Sequence, residues 1–235
     1  YHDKVRASHI LEGLVSGGLI ADSRLIDAGT NHTVCPFELA LDLSSHVDVV
    51  VGDYNYVFDP GAHLRRHFSD DNSGGWIVVV DEAHQLIERA RGWLSPRLEA
   101  AIADAAIDQL MDGGAAYTPF IALARRAARW VRAMVDRAPL PDGEALARTE
   151  LDPAPLQQLA DDIDAVGLDY ALLRADDPLT AGVEDHWRTI ARQVLRLASR
   201  VAELDEGSVP VVGTSIDREY VQVLCLDPSS WLGPR

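Results

Sequence analysis

Long apolar runs are missing from this chain. Nothing in its 235 residues approaches the roughly 18 consecutive apolar residues that a helix needs to cross a bilayer, so no membrane-spanning role is expected. The N-terminus, "YHDKVRASH", lacks the basic-then-apolar order of a secretion signal. Cysteine is scarce. Cys35 and Cys225 are too few for a disulfide framework and suit a reducing compartment. Positive charge is short as well: 21 Lys and Arg stand against 37 Asp and Glu, a formal net charge of -16. Such a surface repels phosphates, so any nucleic-acid contact must use a local basic patch. Internal repeats and low-complexity segments are lacking too. The chain opens at Tyr1 without a Met and stops after "SSWLGPR", which reads as a piece cut from something longer.

What is present is an ordinary globular composition, 47% apolar and 25% charged, with Ala- and Arg-rich helices of the kind high-GC bacterial genomes encode. Residues 1 to about 35 read as one helix, "DKVRASHILEGLV", followed by polar, Gly-containing loop. Two β-branched runs follow, "VDVVVGDY" and "WIVVVDEA". Neither alternates with period two, which suits strands buried on both faces of a parallel sheet. The segment between them is long enough for a helical crossover and a loop.

From about 93 to 207 the texture is helical. "SPRLEAAIADAAIDQLM" and "TPFIALARRAARWVRAMVDRA" each carry a Ser or Thr before Pro, a good helix start. A third candidate, 155–173, is broken by acidic residues and Gly167. The fourth is the clearest. Val183, Trp187, Ile190, Val194, Leu197, Val201 and Leu204 alternate three and four apart, a seam for packing in a bundle. After Gly207 β texture returns in "SVPVVGTS" and "REYVQVLCLDP". The order α/β, helical, then β predicts an α/β fold with a large helical insertion.

"WIVVVDEAH" carries the chemistry. An apolar strand ending in Asp81 and Glu82 places two carboxylates at the carboxyl edge of a parallel sheet, where such folds bind ligands. There Asp81 can hold Mg²⁺ through water, Glu82 can orient and deprotonate the attacking water, and His84 can couple the nucleotide to a neighbouring domain. The bland alternative is a strand running into a helix whose first turn carries acids, favoured by its dipole. The expected partner is a phosphate-cradling G-x-x-x-x-G-K-[ST] loop, and it is lacking: "VSGGLIADS" and "DDNSGGWIV" have glycines, but Lys4 stands beside neither. ATP hydrolysis by this chain alone is therefore not expected.

"CPFELALDLSSHVDVVVGDYNYVFDP" followed by "WIVVVDEAHQLIERA" resembles the iron-sulfur superfamily 2 DNA helicases of the XPD and DinG type. In that family a Cys-Pro closes the iron-sulfur domain, and a Tyr-rich segment ending in Asp-Pro precedes the DEAH box. A helical Arch domain is then inserted before the chain returns to the first motor domain. The resemblance implies an iron-sulfur tail at 1–35, part of motor domain 1 at 36–92, the Arch at 93–208, and a returning strand at 209–235. That strand rests on "VQVLCLDPSSWLG". It also implies that Cys35 is the last of four [4Fe-4S] ligands, the other three lying upstream. Cys225 reads as a core residue. His2, His9 and His32 match no common zinc spacing. Bound ATP, Mg²⁺ or cluster is not expected on the chain as it stands.

Two cation stripes could face single-stranded or forked DNA. Arg188, Arg192, Arg196 and Arg200 recur every four residues, and Arg125, Arg126, Arg129 and Arg132 cluster beside Trp130. A solvated helix face balanced by Glu184, Asp185 and Glu203 is the commoner reading. Tyr54, Asn55 and Tyr56 divide between a DNA-facing role and packing on the sheet. Arg65 and Arg66 fit a helix surface or a phosphate clamp, and Trp93, Trp187 and Trp231 read as core anchors. The leading expectation is part of an ATP-dependent 5′-to-3′ DNA helicase acting in repair or replication in the bacterial nucleoid, with repair proteins as Arch partners. A helicase-like nuclease of the same family, or a stand-alone helical interaction module, are the alternatives.

Overall fold

The computed structural model describes residues 5, 9–68, 75–138, 140, 145–175, 184–215 and 218–232, the side chains of 65 and 230 excepted. Chain contacts divide it into two compact units, 1–56 and 57–235.

The first unit is helical. Helices α1 (Ile10–Val15), α2 (Asp22–His32) and α3 (Pro36–Leu43) enclose a small core of Val5, Ile10, Leu14, Val34, Leu39 and Leu43. The loop expected after the first helix is therefore largely helix, because Leu25 and Ala28 of α2 pack on that core. Thr33 ends α2 with φ 54°, and the Val34 N–H donates to the Gly29 carbonyl at 2.9 Å. A Cβ on Gly29 would lie 2.6 Å from Pro36 Cγ, so the close approach of α2 to the start of α3 requires glycine there. A short helical turn, α4 (Asn55–Phe58), follows.

In the second unit come α5 (Arg65–Phe68), α6 (His84–Leu94), a three-residue strand β1 (Arg97–Glu99) and α7 (Ala100–Met111). Then follow α8 (Thr118–Arg137), β2 (Leu146–Arg148), α9 (Pro153–Ala165) and α10 (Gly167–Ala175). The chain continues through α11 (His186–Ala202), β3 (Ser208–Ser215), β4 (Arg218–Cys225) and a last turn, α12 (Ser229–Leu232). The expected helix starts hold for α8, and Gly167 does break the third helix into α9 and α10. Asp152 and Asp185 cap α9 and α11, each carboxylate accepting a backbone N–H at 3.0 Å.

The seam of α11 is buried. Trp187, Ile190, Val194, Leu197 and Val201 are at most 6% exposed and pack with Phe120, Val131, Leu156 and Tyr170 of the neighbouring helices. Leu204 lies past the helix end and is 40% exposed; Val183 falls outside the described residues. Phe120, Tyr170 and Trp187 meet edge-on or tilted with ring centroids 5.1–5.7 Å apart, geometries that the ring quadrupole favours.

The sheet differs from expectation. Four strands pair antiparallel in the order β1-β4-β3-β2, and Val212, Val221 and Val223 join the helical core. The "REYVQVLCLDP" strand, expected to run back into a parallel sheet, instead pairs with β1 and β3. Its buried and half-buried positions fit a sheet with one face on helices. "VDVVVGDY" and "WIVVVDEA" form no ladder among the described residues. Both lack helix and strand and are open, with Val51 95%, Ile77 90% and Val79 89% exposed. A strand apolar on both faces needs a neighbour on each edge and a layer on each side, and the described residues supply neither. The fold is mixed α and β, mainly helical, and its sheet is antiparallel.

Candidate nucleotide site and cation surface

The acidic pair occupies a turn between the extended segment that starts at Trp76 and helix α6. His67 anchors the segment's start, its ring 4.9 Å from that of Trp76 and edge-on to it. Asp81 Oδ1 accepts the Glu82 N–H at 2.9 Å, and the Glu82 carbonyl accepts from Gln85 N at 2.9 Å, which opens α6. Glu82 has φ 51°. For a residue with a Cβ this left-handed conformation costs about 1–3 kcal/mol, strain of a kind that gathers at functional turns. Glu82 Oε2 lies 3.2 Å from His84 Nδ1, and both side chains are more than half exposed.

Asp81, Glu82 and His84 thus share one open turn. The expected setting differs in one respect: the turn follows an extended apolar segment and precedes a helix, but no ladder makes it a sheet edge. Asp81 offers a single carboxylate, which fits Mg²⁺ held largely by water and phosphate oxygens. Among the described residues no group of three or more His, Cys, Asp and Glu is placed to hold a metal by itself.

Cys35, exposed, precedes α3, and its carbonyl accepts from Leu39 N at 3.0 Å. Cys225 is buried in β4, and burial pushes its thiol pKa up, as befits a packed side chain. The two cysteines do not make the four-thiolate set of a [4Fe-4S] cluster. Tyr54, Asn55 and Tyr56 follow an Asp53 turn, where Asp53 Oδ1 accepts the Asn55 N–H at 2.8 Å. Asn55 Oδ1 is buried with no hydrogen-bond partner among the described residues, and Tyr56 is 36% exposed.

The cation stripes are divided in use. Arg132 is ion-paired to Asp104 and to Glu219, the latter at 3.2 Å, and Arg126 is paired to Asp162. These charges are neutralised by acids distant in sequence, which removes Arg132 from the free cations. Arg125 and Arg129 are exposed, with no acid within 4 Å among the described residues. On α11, Arg188 pairs with Asp185 at 3.4 Å yet stays 59% exposed, and Arg192 is exposed. Arg196, still exposed, and Arg200, largely covered, donate to the carbonyls of Trp93 and Leu94 at 3.1 and 3.3 Å. Sequence reading missed that role, since the four-residue spacing is the same for the paired and the unpaired arginines. Trp187 is core, and Trp231 donates from Nε1 to the Phe58 carbonyl at 2.9 Å.

Comparison with known proteins places these features. The DEAD_2 family model matches residues 1–102. The regulator of telomere elongation helicase 1 homolog of Anopheles gambiae is 31% identical over 101 residues, which cover 40% of this chain and 10% of that protein. The human regulator of telomere elongation helicase 1 is 33% identical over 76 residues, 32% of this chain and 6% of that protein. The Fanconi anemia group J protein homolog of Gallus gallus is 31% identical over 86 residues, 37% of this chain and 7% of that protein. The chain spans about a tenth or less of the length of these relatives. The matched residues include Cys35, the Tyr54–Tyr56 segment, the Asp81–His84 turn and all of α6. Over its first 102 residues the chain is similar to the DEAD_2 family, and within them to the telomere-elongation helicase and Fanconi anemia group J proteins.

Proposed function

We propose that this chain is the DEAH-box part of a DNA helicase of the XPD and DinG type, together with its helical Arch insertion. The intact protein couples ATP hydrolysis to 5′-to-3′ strand separation in repair or replication. The observation that carries this reading is the Asp81–Glu82–His84 turn. It lies within the family match, between an apolar extended segment and a helix, with its carboxylates open to a ligand.

In this reading Asp81 holds Mg²⁺ through water, and the ion neutralises charge on the nucleotide phosphates. Glu82 orients the hydrolytic water and takes its proton. His84, 3.2 Å from the Glu82 carboxylate, fixes that carboxylate's direction and reports on it to the rest of the motor. The extended Val49–Val51 and Ile77–Val79 segments become strands of the motor sheet. The antiparallel hairpin of β3 and β4 belongs with the helical insertion, which then spans roughly from β1 to β4. Cys35 serves as one ligand of an iron-sulfur cluster whose other thiolates this chain does not hold. Arg125, Arg129, Arg188 and Arg192 are the cations open to single-stranded or forked DNA.

The test is Glu82→Gln in the full-length protein. The expected result is a loss of about 100-fold or more in ATP turnover, the scale of a removed general base, with unwinding lost in parallel. Retained turnover refutes the assignment. So does ATP turnover by the 235-residue chain alone, which has no Gly-Lys-Ser/Thr loop.

A further inference from the structure

The far end of α6 is held more firmly than the end bearing the acidic turn. A helix leaves its last four carbonyls without intrahelical donors. In α6 two of them are claimed by one neighbouring helix: the Trp93 carbonyl accepts from Arg196 Nη2, and the Leu94 carbonyl from Arg200 Nε. Both donors are cations at a helix C-terminus, where the dipole favours positive charge. The next residue, Ser95, is gripped from the other side by β4. Its carbonyl accepts from Gln222 Nε2 at 3.1 Å, and its Oγ accepts from the Cys225 N–H at 2.9 Å.

Arg200 is the hub of this grip. Its side chain is 12% exposed. Nε serves Leu94, Nη1 donates to the Glu203 carbonyl at 2.8 Å, and Nη2 donates to the Asp205 carboxylate at 3.2 Å and to Ser208 Oγ. One planar guanidinium therefore ties α6, the end of α11 and the start of β3 together. A lysine, with its donors on one nitrogen, cannot reproduce that fork. Between this hub and the acidic turn lies a single helix of 11 residues, about 16 Å long and continuous in its hydrogen bonding.

We infer that Arg200 is a positioning residue that fixes the C-terminal end of α6 to the helical insertion, so that α6 transmits displacement between the Asp81–His84 turn and the DNA-contacting helices. A rigid rod couples two sites only when its far end is fixed, and Arg200 supplies that attachment. The inference rests on the helicase reading and adds to it a route by which hydrolysis is turned into strand separation.

The experiment uses the full-length protein, with Arg200→Gln and Arg200→Lys compared with wild type. Read out are ATP turnover without DNA, turnover at saturating single-stranded DNA, single-strand Kd, and base pairs separated per ATP. Arg200→Gln should leave DNA-free turnover and Kd within about twofold while lowering both DNA stimulation and base pairs per ATP about 10-fold. Arg200→Lys should recover only part of that loss. A Leu197→Ala control on the same helix, producing a comparable fall in Tm, should leave base pairs per ATP unchanged. Should Arg200→Gln prove insoluble, Arg200→Lys and Ser95→Ala carry the test, each lowering base pairs per ATP about threefold. Unchanged base pairs per ATP in the Arg200 variants overturn the inference, as does an equal loss in Leu197→Ala. Failure of the helicase reading shows separately, as absent ATP turnover in wild type or retained turnover in Glu82→Gln.

Discussion

Replacing Gly213 by alanine probes the pairing of β3 with β4, the strand that grips Ser95 after α6. Gly213 in β3 stands opposite Tyr220 in β4, and the tyrosine ring lies across the space where a side chain would be. A Cβ at 213 would sit 2.4 Å from Tyr220 Oη, 2.5 Å from its Cζ and 2.6 Å from the Ala145 carbonyl oxygen. Neither neighbour yields cheaply. The Ala145 carbonyl accepts the Thr214 N–H at 3.0 Å, and the ring carries the Arg97 guanidinium 3.5 Å from its centroid. Overpacking of this kind costs about 1–3 kcal/mol, and displacing the ring forfeits a cation–π contact of about 0.5–1 kcal/mol. A total of about 2–4 kcal/mol lowers Tm by roughly 5–15 °C in a unit of this size. Thermal melts followed by circular dichroism measure the shift. The same substitution in a Tyr220→Ala background should cost less than in wild type, because the clash with the ring is gone and only that with the Ala145 carbonyl remains. A fall in Tm of under about 2 °C, or an equal cost in both backgrounds, refutes the packing argument.

Three further outcomes follow from charges on the same unit. Burial, then the hydrogen bond to Asp185, pushes the Tyr170 hydroxyl pKa well above its ordinary 10.0. The folded state therefore keeps that proton more tightly than the unfolded one. Stability from this group is complete below pH 10 and falls as pH rises beyond it. Urea midpoints measured from pH 8 to about 11.5 should show a smaller alkaline decline in Tyr170→Phe than in wild type, and parallel curves would contradict this. Reversing Arg125 and Arg129 to Glu in the full-length protein should weaken single-strand binding and flatten its salt dependence by about one unit of slope or more. Arg132→Gln, which breaks the pairs to Asp104 and Glu219, should instead lower Tm and leave the salt slope alone. Binding titrations against salt, with thermal melts for Arg132→Gln, decide both.

Helices were the part of this fold most readily read from the chain. Pro119 near the start of α8 and the three-and-four spacing from Trp187 to Val201 are local signals, and local packing satisfied them. Around the acidic pair only the helix that follows was legible for the same reason; the strand and sheet edge expected before it do not form among the described residues. Pairing was not legible. Strands β1 and β2 are three residues each, too short to leave a period, and exist because β4 and β3 lie beside them. The valine runs carried a true apolar signal but no information on which strands would flank them. Arginine roles were hidden similarly. Nothing near Arg132 in sequence announces Asp104 or Glu219, 28 and 87 positions away, and nothing near Arg200 announces Leu94.

The pairing of β1 with β4 has a consequence for the chain that runs between them. Ser95 and Gln222 are 127 positions apart in the chain, yet they are joined by a hydrogen bond of 3.1 Å. Everything between them leaves and comes back through one doorway. A change in the length of that stretch therefore need not move the backbone on either side of it.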